Sequence, residues 1–148
     1  MISKKTKYAL KALIVLARHY SHRQPTLISE LAASEKLPRK FLESILLGLK
    51  NEGILASKKG KGGGYLLAKN PDRISVGQIV RVLEGTLSPL SCLSQRAYRK
   101  CDECREEATC PIRSVMKEVR EETVRILDGT SLQDMLERTS ESMLSYSI

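Results

Sequence analysis

The run Lys58-Lys59-Gly60-Lys61-Gly62-Gly63-Gly64-Tyr65-Leu66-Leu67 constrains the fold of this chain more than any other feature. Four glycines fall within five residues, so the backbone can turn tightly there and approach another surface with no Cβ between. Three lysines share the segment, and each can neutralise a phosphate and release counterions. The apolar pairs Ile54-Leu55 and Leu66-Leu67 predict two short strands joined by this glycine-rich tip. A flexible loop with incidental lysines is the bland alternative. A nucleotide-cradling loop fits poorly, because the run lacks the order G-x-x-x-x-G-K-S/T and a strand rather than a helix follows it.

Upstream, Tyr8, Leu10, Ala12, Leu13, Val15, Leu16 and Ala17 recur at helical spacing and predict a helix over roughly residues 5–21. Pro25 stops it. Thr26 is expected to cap a second helix that buries Ile28, Leu31 and Ala32. Pro38 suits the first turn of a third helix, which runs to about Asn51 with Phe41, Leu42, Ile45, Leu46 and Leu49 inward and Gly53 as a left-handed cap. Helix, tight turn, helix and hairpin is the order of a winged helix-turn-helix. In that geometry the third helix lies in the major groove of DNA with its N-terminal residues toward the base edges.

Arg39, Lys40, Glu43 and Ser44 are the polar residues left on the outer face of that helix. Arg39 suits guanine and Lys40 a phosphate. Glu43 either accepts a hydrogen bond from cytosine N4 or pairs with Arg39 or Lys40 along its own helix. Lys4, Lys5 and Lys7 ahead of the first helix, and Lys58, Lys59, Lys61, Gly62 and Gly63 in the wing, complete the expected DNA-binding set.

The charge distribution agrees. Formal net charge is +8, yet residues 1–70 carry 14 Lys/Arg against 4 Asp/Glu, while residues 71–148 carry 11 against 13. A basic front half and a near-neutral back half suit a nucleic-acid module joined to a sensing or assembly module, divided here into residues 1–72 and 73–148. No apolar run approaches the roughly 20 residues that span a bilayer, and the N-terminal stretch lacks a signal-peptide cleavage pattern. The expectation is a cytoplasmic protein with no membrane partner, whose cysteines serve as ligands or redox groups rather than disulfides.

Those cysteines stand only at 92, 101, 104 and 110, within a polar segment from about 88 to 110 that reads as a loop. Clustered thiolates can hold an iron–sulfur cluster or a tetrahedral zinc ion. Arg96, Arg99, Lys100, Arg105 and Arg113 could offset the charge of ligated sulfur, or lower the thiol pKa values for direct redox sensing. The residues leave iron–sulfur, zinc and bare-thiol readings open. After Pro111, Ile112, Met116, Val119, Thr123 and Ile126 alternate at spacings of four and three, with Val115 and Leu127 widening the stripe. Such a seam predicts a long C-terminal helix that pairs with a second copy of the chain. Asp128-Gly129-Thr130 ends it, and Ser131 is expected to cap a short amphipathic helix. Ser75 is expected to cap a helix over Val76, Ile79, Val80 and Leu83 that joins the two halves.

With these residues in hand, the chain resembles the Rrf-two family of bacterial transcription regulators, of the IscR, NsrR and CymR type. The matching stretches are Lys7-Tyr8-Ala9-Leu10, Phe41-Leu42-Glu43, Gly60 to Leu67, Ile74-Ser75-Val76-Gly77-Gln78-Ile79 and the cysteine loop, over roughly residues 1–136. The resemblance implies a mainly α fold with a small β-hairpin wing, and a homodimer on a palindromic operator of double-stranded DNA. It places Glu43 and Ser44 at base-reading positions and Lys59 and Lys61 at wing contacts. Cluster-binding members use three cysteines in this loop plus a ligand from elsewhere. Cys92, Cys104 and Cys110 fit those three, and Cys101 is an addition. Arg113 stands where some members place a histidine ligand, and Lys7 where some supply a carboxylate. Rival functions are a zinc-stabilised or cofactor-free regulator, an architectural DNA binder, and a small thiol-redox enzyme. The last lacks the βαβ context that a C-x-x-C catalyst requires.

Overall fold

The computed structural model describes residues 2–146. Six α-helices and one hairpin follow in the order α1 (Lys4–Arg18), α2 (Ile28–Glu35), α3 (Arg39–Asn51), β1 (Leu55–Lys58), β2 (Gly64–Leu67), α4 (Val76–Glu84), α5 (Pro111–Asp128) and α6 (Leu132–Tyr146). The Ser3 hydroxyl accepts from the Thr6 N–H and caps α1, which stops three residues short of expectation and gives way to a 3₁₀ turn over Tyr20–His22. Helix α3 ends in a Schellman motif: the Gly53 N–H donates to the Lys50 carbonyl, the Ile54 N–H donates to the Leu49 carbonyl, and Gly53 has φ +74°. The hairpin then leaves directly from the end of α3, with Leu55 opposite Leu67 and Lys58 opposite Gly64.

Leu13, Leu16, Leu31, Leu42, Ile45, Leu46, Leu49 and Ile54 are fully buried where α1, α2, α3 and β1 meet. The same core takes in Ile74, Ile79 and Leu132. The Leu132 N–H donates to the Ile74 carbonyl, and the Val76 N–H donates to the Thr130 carbonyl, so the start of α6 is stitched to the start of α4. Ser75 caps α4 as expected, accepting from the Gln78 N–H. Ser131 and Asp134 form a reciprocal capping box on α6.

Four local expectations are corrected. Thr26 does not cap α2. Its N–H donates to the Tyr65 carbonyl at 2.8 Å and its carbonyl accepts from the Tyr65 N–H at 2.9 Å, so it pairs with β2 and leaves Leu27 at the N-cap position. Pro38 stands one residue before the first turn of α3, at the N-cap. Phe41 is not inward but on the surface, where its ring meets Tyr8 edge-on at 5.8 Å. Helix α6 is not short: it continues for 15 residues and packs against α1. No helix among the described residues is long and apolar enough to cross a membrane.

Candidate nucleic-acid interface and cysteine loop

The amphipathic spacing of α3 puts Leu42, Ile45, Leu46 and Leu49 in the core and leaves Arg39, Lys40, Glu43 and Ser44 exposed on its opposite side. Arg39 Nε lies 3.3 Å from Glu43 Oε1, both side chains largely in water. In the free chain Glu43 is thus held by its neighbour one turn away, the plainer of the two expectations for it. The Tyr8–Phe41 contact sets the first turns of α1, with Lys4 and Lys7, beside the N-terminal half of α3. Lys4 and Lys7 are exposed and Lys5 is half-buried.

At the wing, Lys58, Lys59, Lys61 and Gly62 are exposed, whereas Gly63 is buried. A Cβ on Gly63 would stand 2.3 Å from the Lys58 carbonyl oxygen, and one on Gly64, at φ +141°, 2.3 Å from that of Thr26. Gly63 therefore serves the interior of the turn rather than its outer surface, and Gly64 lets Thr26 close on the hairpin. The Thr26 Oγ1 also lies 2.9 Å from His19 Nδ1, which ties the wing root to the end of α1. Sequence reasoning missed this root, because its signal is pairing between residues 39 positions apart rather than any local motif.

The cysteine loop runs from the end of α4 to the start of α5 with two short 3₁₀ turns, Ser91–Leu93 and Glu107–Thr109. Cys92 is buried, Cys101 is exposed, and Cys104 and Cys110 are half-buried. The Cys110 sulfur accepts from the Arg113 N–H and caps α5. The Tyr98 hydroxyl donates to Glu107 Oε1, and Arg113 Nε lies 3.8 Å from Glu107 Oε2. Desolvation, then the neighbouring Cys110 and Cys101, push the Cys104 thiol above its ordinary value, and Lys100 opposes this without prevailing. The expectation that surrounding cations would depress the thiols is overturned at this residue.

Among the described residues no three His, Cys, Asp or Glu side chains converge as a metal-holding group. Arg113 is a permanent cation with no lone pair to give, and it faces Glu107 and Tyr98. The donor set in this arrangement does not fit a ready-made iron–sulfur or zinc site.

Helix α5 carries the expected seam. Ile112, Val115, Val119 and Ile126 are 40 to 64 % exposed, and none of its 18 residues is buried. Met116 and Thr123 on the same stripe are half-buried. Beside it a groove of about 540 Å³ is lined by Ile2, Val80, Leu87, Pro89, Val119 and Ile126, among others. The far end of α5 is clamped to α4: Arg81 donates to both Asp128 oxygens at 2.7 and 2.8 Å, and this ion pair holds the Asp128 carboxyl below its usual range. An interior glycine in α4, Gly77, is the one sequence signal that could have exposed this close approach.

Comparison with known proteins places these features. Residues 2–138 match the profile of the Rrf2 family, described as iron-dependent transcriptional regulators. The chain is 44 % identical over 138 residues to an HTH-type regulator termed rrf2-like from Rhodobacter capsulatus, covering 92 % of each. It is 34 % identical over 145 residues to the regulator CymR of Bacillus subtilis, covering 98 % of this chain and 96 % of that one. The solved structure of CymR (YrzC), the global cysteine regulator of B. subtilis, superposes with a TM-score of 0.78 at 33 % identity, over 93 % of this chain and 97 % of the other. That of T. potens IscR gives 0.76 at 27 % identity, over 96 % and 90 %. These relatives are transcription regulators and not enzymes, which removes the thiol-redox enzyme from consideration.

Proposed function

Because the chain belongs to the Rrf2 family of transcriptional regulators, we propose that it acts as a homodimer that grips a palindromic DNA operator and adjusts its grip through the cysteine loop. The observation that carries this reading is α5: an 18-residue helix with no buried residue, whose apolar residues Ile112, Val115, Val119 and Ile126 its own chain leaves exposed. A second α5 supplies the apolar surface it needs. Pairing along Ile112, Val115, Met116, Val119, Thr123 and Ile126 carries two heads, each residues 1–72, to neighbouring half-sites about one helical turn apart.

Each head then offers Arg39, Lys40, Glu43 and Ser44 to the major groove. Lys4, Lys5, Lys7, Lys58, Lys59, Lys61 and the backbone at Gly62 contact phosphates. On DNA, Glu43 exchanges Arg39 for a cytosine amino group. Such a protein works in the cytoplasm, where the operator is.

Residues 73–148 form the sensing and assembly half. The exposed thiol of Cys101, with half-buried Cys104 and Cys110 in the same loop, supports control by thiol oxidation, as a solved oxidized form of Staphylococcus aureus CymR invites. The iron-dependent description of the family favours a second reading, in which the loop rearranges to bring its cysteines onto an iron–sulfur cluster. Operator affinity of native protein, Cys92→Ala and Cys104→Ala, each with and without iron and sulfide and again after mild peroxide, tests both. A response to peroxide alone supports thiol control, and one to iron and sulfide supports the cluster. Equal affinity throughout removes the sensor and leaves the DNA-binding reading standing.

A further inference from the structure

We propose that a pocket between α4, the start of the cysteine loop and α5 binds a small tetrahedral oxyanion, either free or as the head group of a phosphorylated or sulfated metabolite. The cavity, about 40 Å³, is lined by Arg81 of α4, Arg96 of the loop and Arg120 of α5, with Gln95 beside them. That space is roughly what a few waters or one sulfate-sized ion requires. No carboxylate lines it.

The three guanidiniums are not equally engaged. Arg81 spends two donors on Asp128 and keeps the remainder. Arg96 and Arg120 have no ion-pair partner among the described residues, although this half of the chain holds more acidic than basic residues. Two unpaired cations in one small concavity repel each other, and an oxyanion removes that repulsion while accepting bidentate hydrogen bonds from planar guanidinium forks. Arg120 lines the cavity together with Val124, four residues on, so it lies on the face of α5 turned toward its own loop. A bound anion would link α4, the loop and α5 within the second half of the chain. The site is separate from the cysteines and from the predicted DNA-contacting residues.

Isothermal titration of the full chain with sodium sulfate and with inorganic phosphate, at constant ionic strength against chloride, tests the site. One saturable event per chain is expected, weakened at least about tenfold in Arg96→Gln/Arg120→Gln and retained in Arg99→Gln, whose side chain does not line the pocket. Glycerol phosphate serves as the second arm. Binding as tight as that of inorganic phosphate identifies a metabolite head group as the source, and exclusion of the ester identifies the free ion. Sulfate raises folded-state stability generally, so a non-saturating rise in melting temperature common to native and variant protein would overturn the proposal. Loss of duplex affinity by the double variant with no anion binding by the native protein would also overturn it, assigning these arginines to the DNA backbone.

Discussion

Gly77 in α4 faces Asp128 at the end of α5 so closely that a Cβ on Gly77 would stand 1.9 Å from Asp128 Oδ1. Asp128 cannot simply swing aside, because Arg81 holds both of its oxygens. Gly77→Ala should therefore break that clamp or push α5 outward, at a cost of about 1–2 kcal/mol in chemical denaturation. Asp128→Ala removes the obstacle, so the double variant should be less destabilised than the sum of the singles. Strict additivity would show that the two residues are not coupled.

Acid should loosen the other end of α4. Glu84 accepts hydrogen bonds from the Ser3 N–H at 2.9 Å and the Thr6 hydroxyl at 2.5 Å, and these bonds, those from Ser3 foremost, lower its carboxyl to about 2. A carboxylate whose folded value is depressed stabilises the fold above its unfolded value, and that contribution disappears as pH falls from about 4.5 toward 2. The group is partly in water, so about 1 kcal/mol is the expected size after screening. Glu84→Gln should flatten the unfolding midpoint over that interval and leave other acid transitions in place.

The wing root admits a sharper test. A Cβ at residue 64 meets backbone rather than a movable side chain, and its φ is unfavourable for any L-residue. Gly64→Ala should separate Thr26 from Tyr65, lower stability by about 2 kcal/mol or more, and weaken operator binding with it. Lys59→Ala and Lys61→Ala should leave stability unchanged and each reduce the salt dependence of DNA affinity by about one ion. Unchanged salt slopes would take these lysines off the DNA.

Val119→Glu and Ile126→Glu place carboxylates on the exposed stripe of α5. Sedimentation should report a monomer with native helix content, and operator affinity should fall at least about tenfold because two linked heads become one. A persistent dimer would locate the assembly surface elsewhere.

Thiol accessibility should follow the loop. Under brief alkylation at neutral pH, mass mapping should find Cys101 modified first and buried Cys92 last. Cys104 should lag behind Cys101, since its raised pKa leaves less thiolate. Fast labelling of Cys92 would mean that the turn over Ser91–Leu93 opens readily.

The elements with strong local signals were legible in the sequence: the apolar spacing of α1 and α3, the left-handed Gly53, the caps at Ser75 and Ser131, and the strand pairs around the glycine tip. Thr26 was misread because a threonine before an apolar run satisfies the rule for a cap, and only the distant Tyr65 competes for its backbone. Phe41 was misplaced because an aromatic at core spacing near a helix start can pack sideways onto a surface ring just as well as inward. The cysteines were legible as a group but not as a geometry, since sequence proximity carries no information on which sulfurs face the same point. The arginine pocket went unseen because its three members lie 39 positions apart, on elements whose contact is tertiary.

Leu132 begins α6 with its side chain sealed among the residues of the first half and its N–H bonded to Ile74. A fragment ending at residue 72 would leave an open socket where that leucine sits, so the first half of the chain is not a detachable unit. In the proposed dimer the same anchorage would make the foot of α5 a lever: whatever tilts the two α5 helices against each other would turn residues 1–72 of both copies with them.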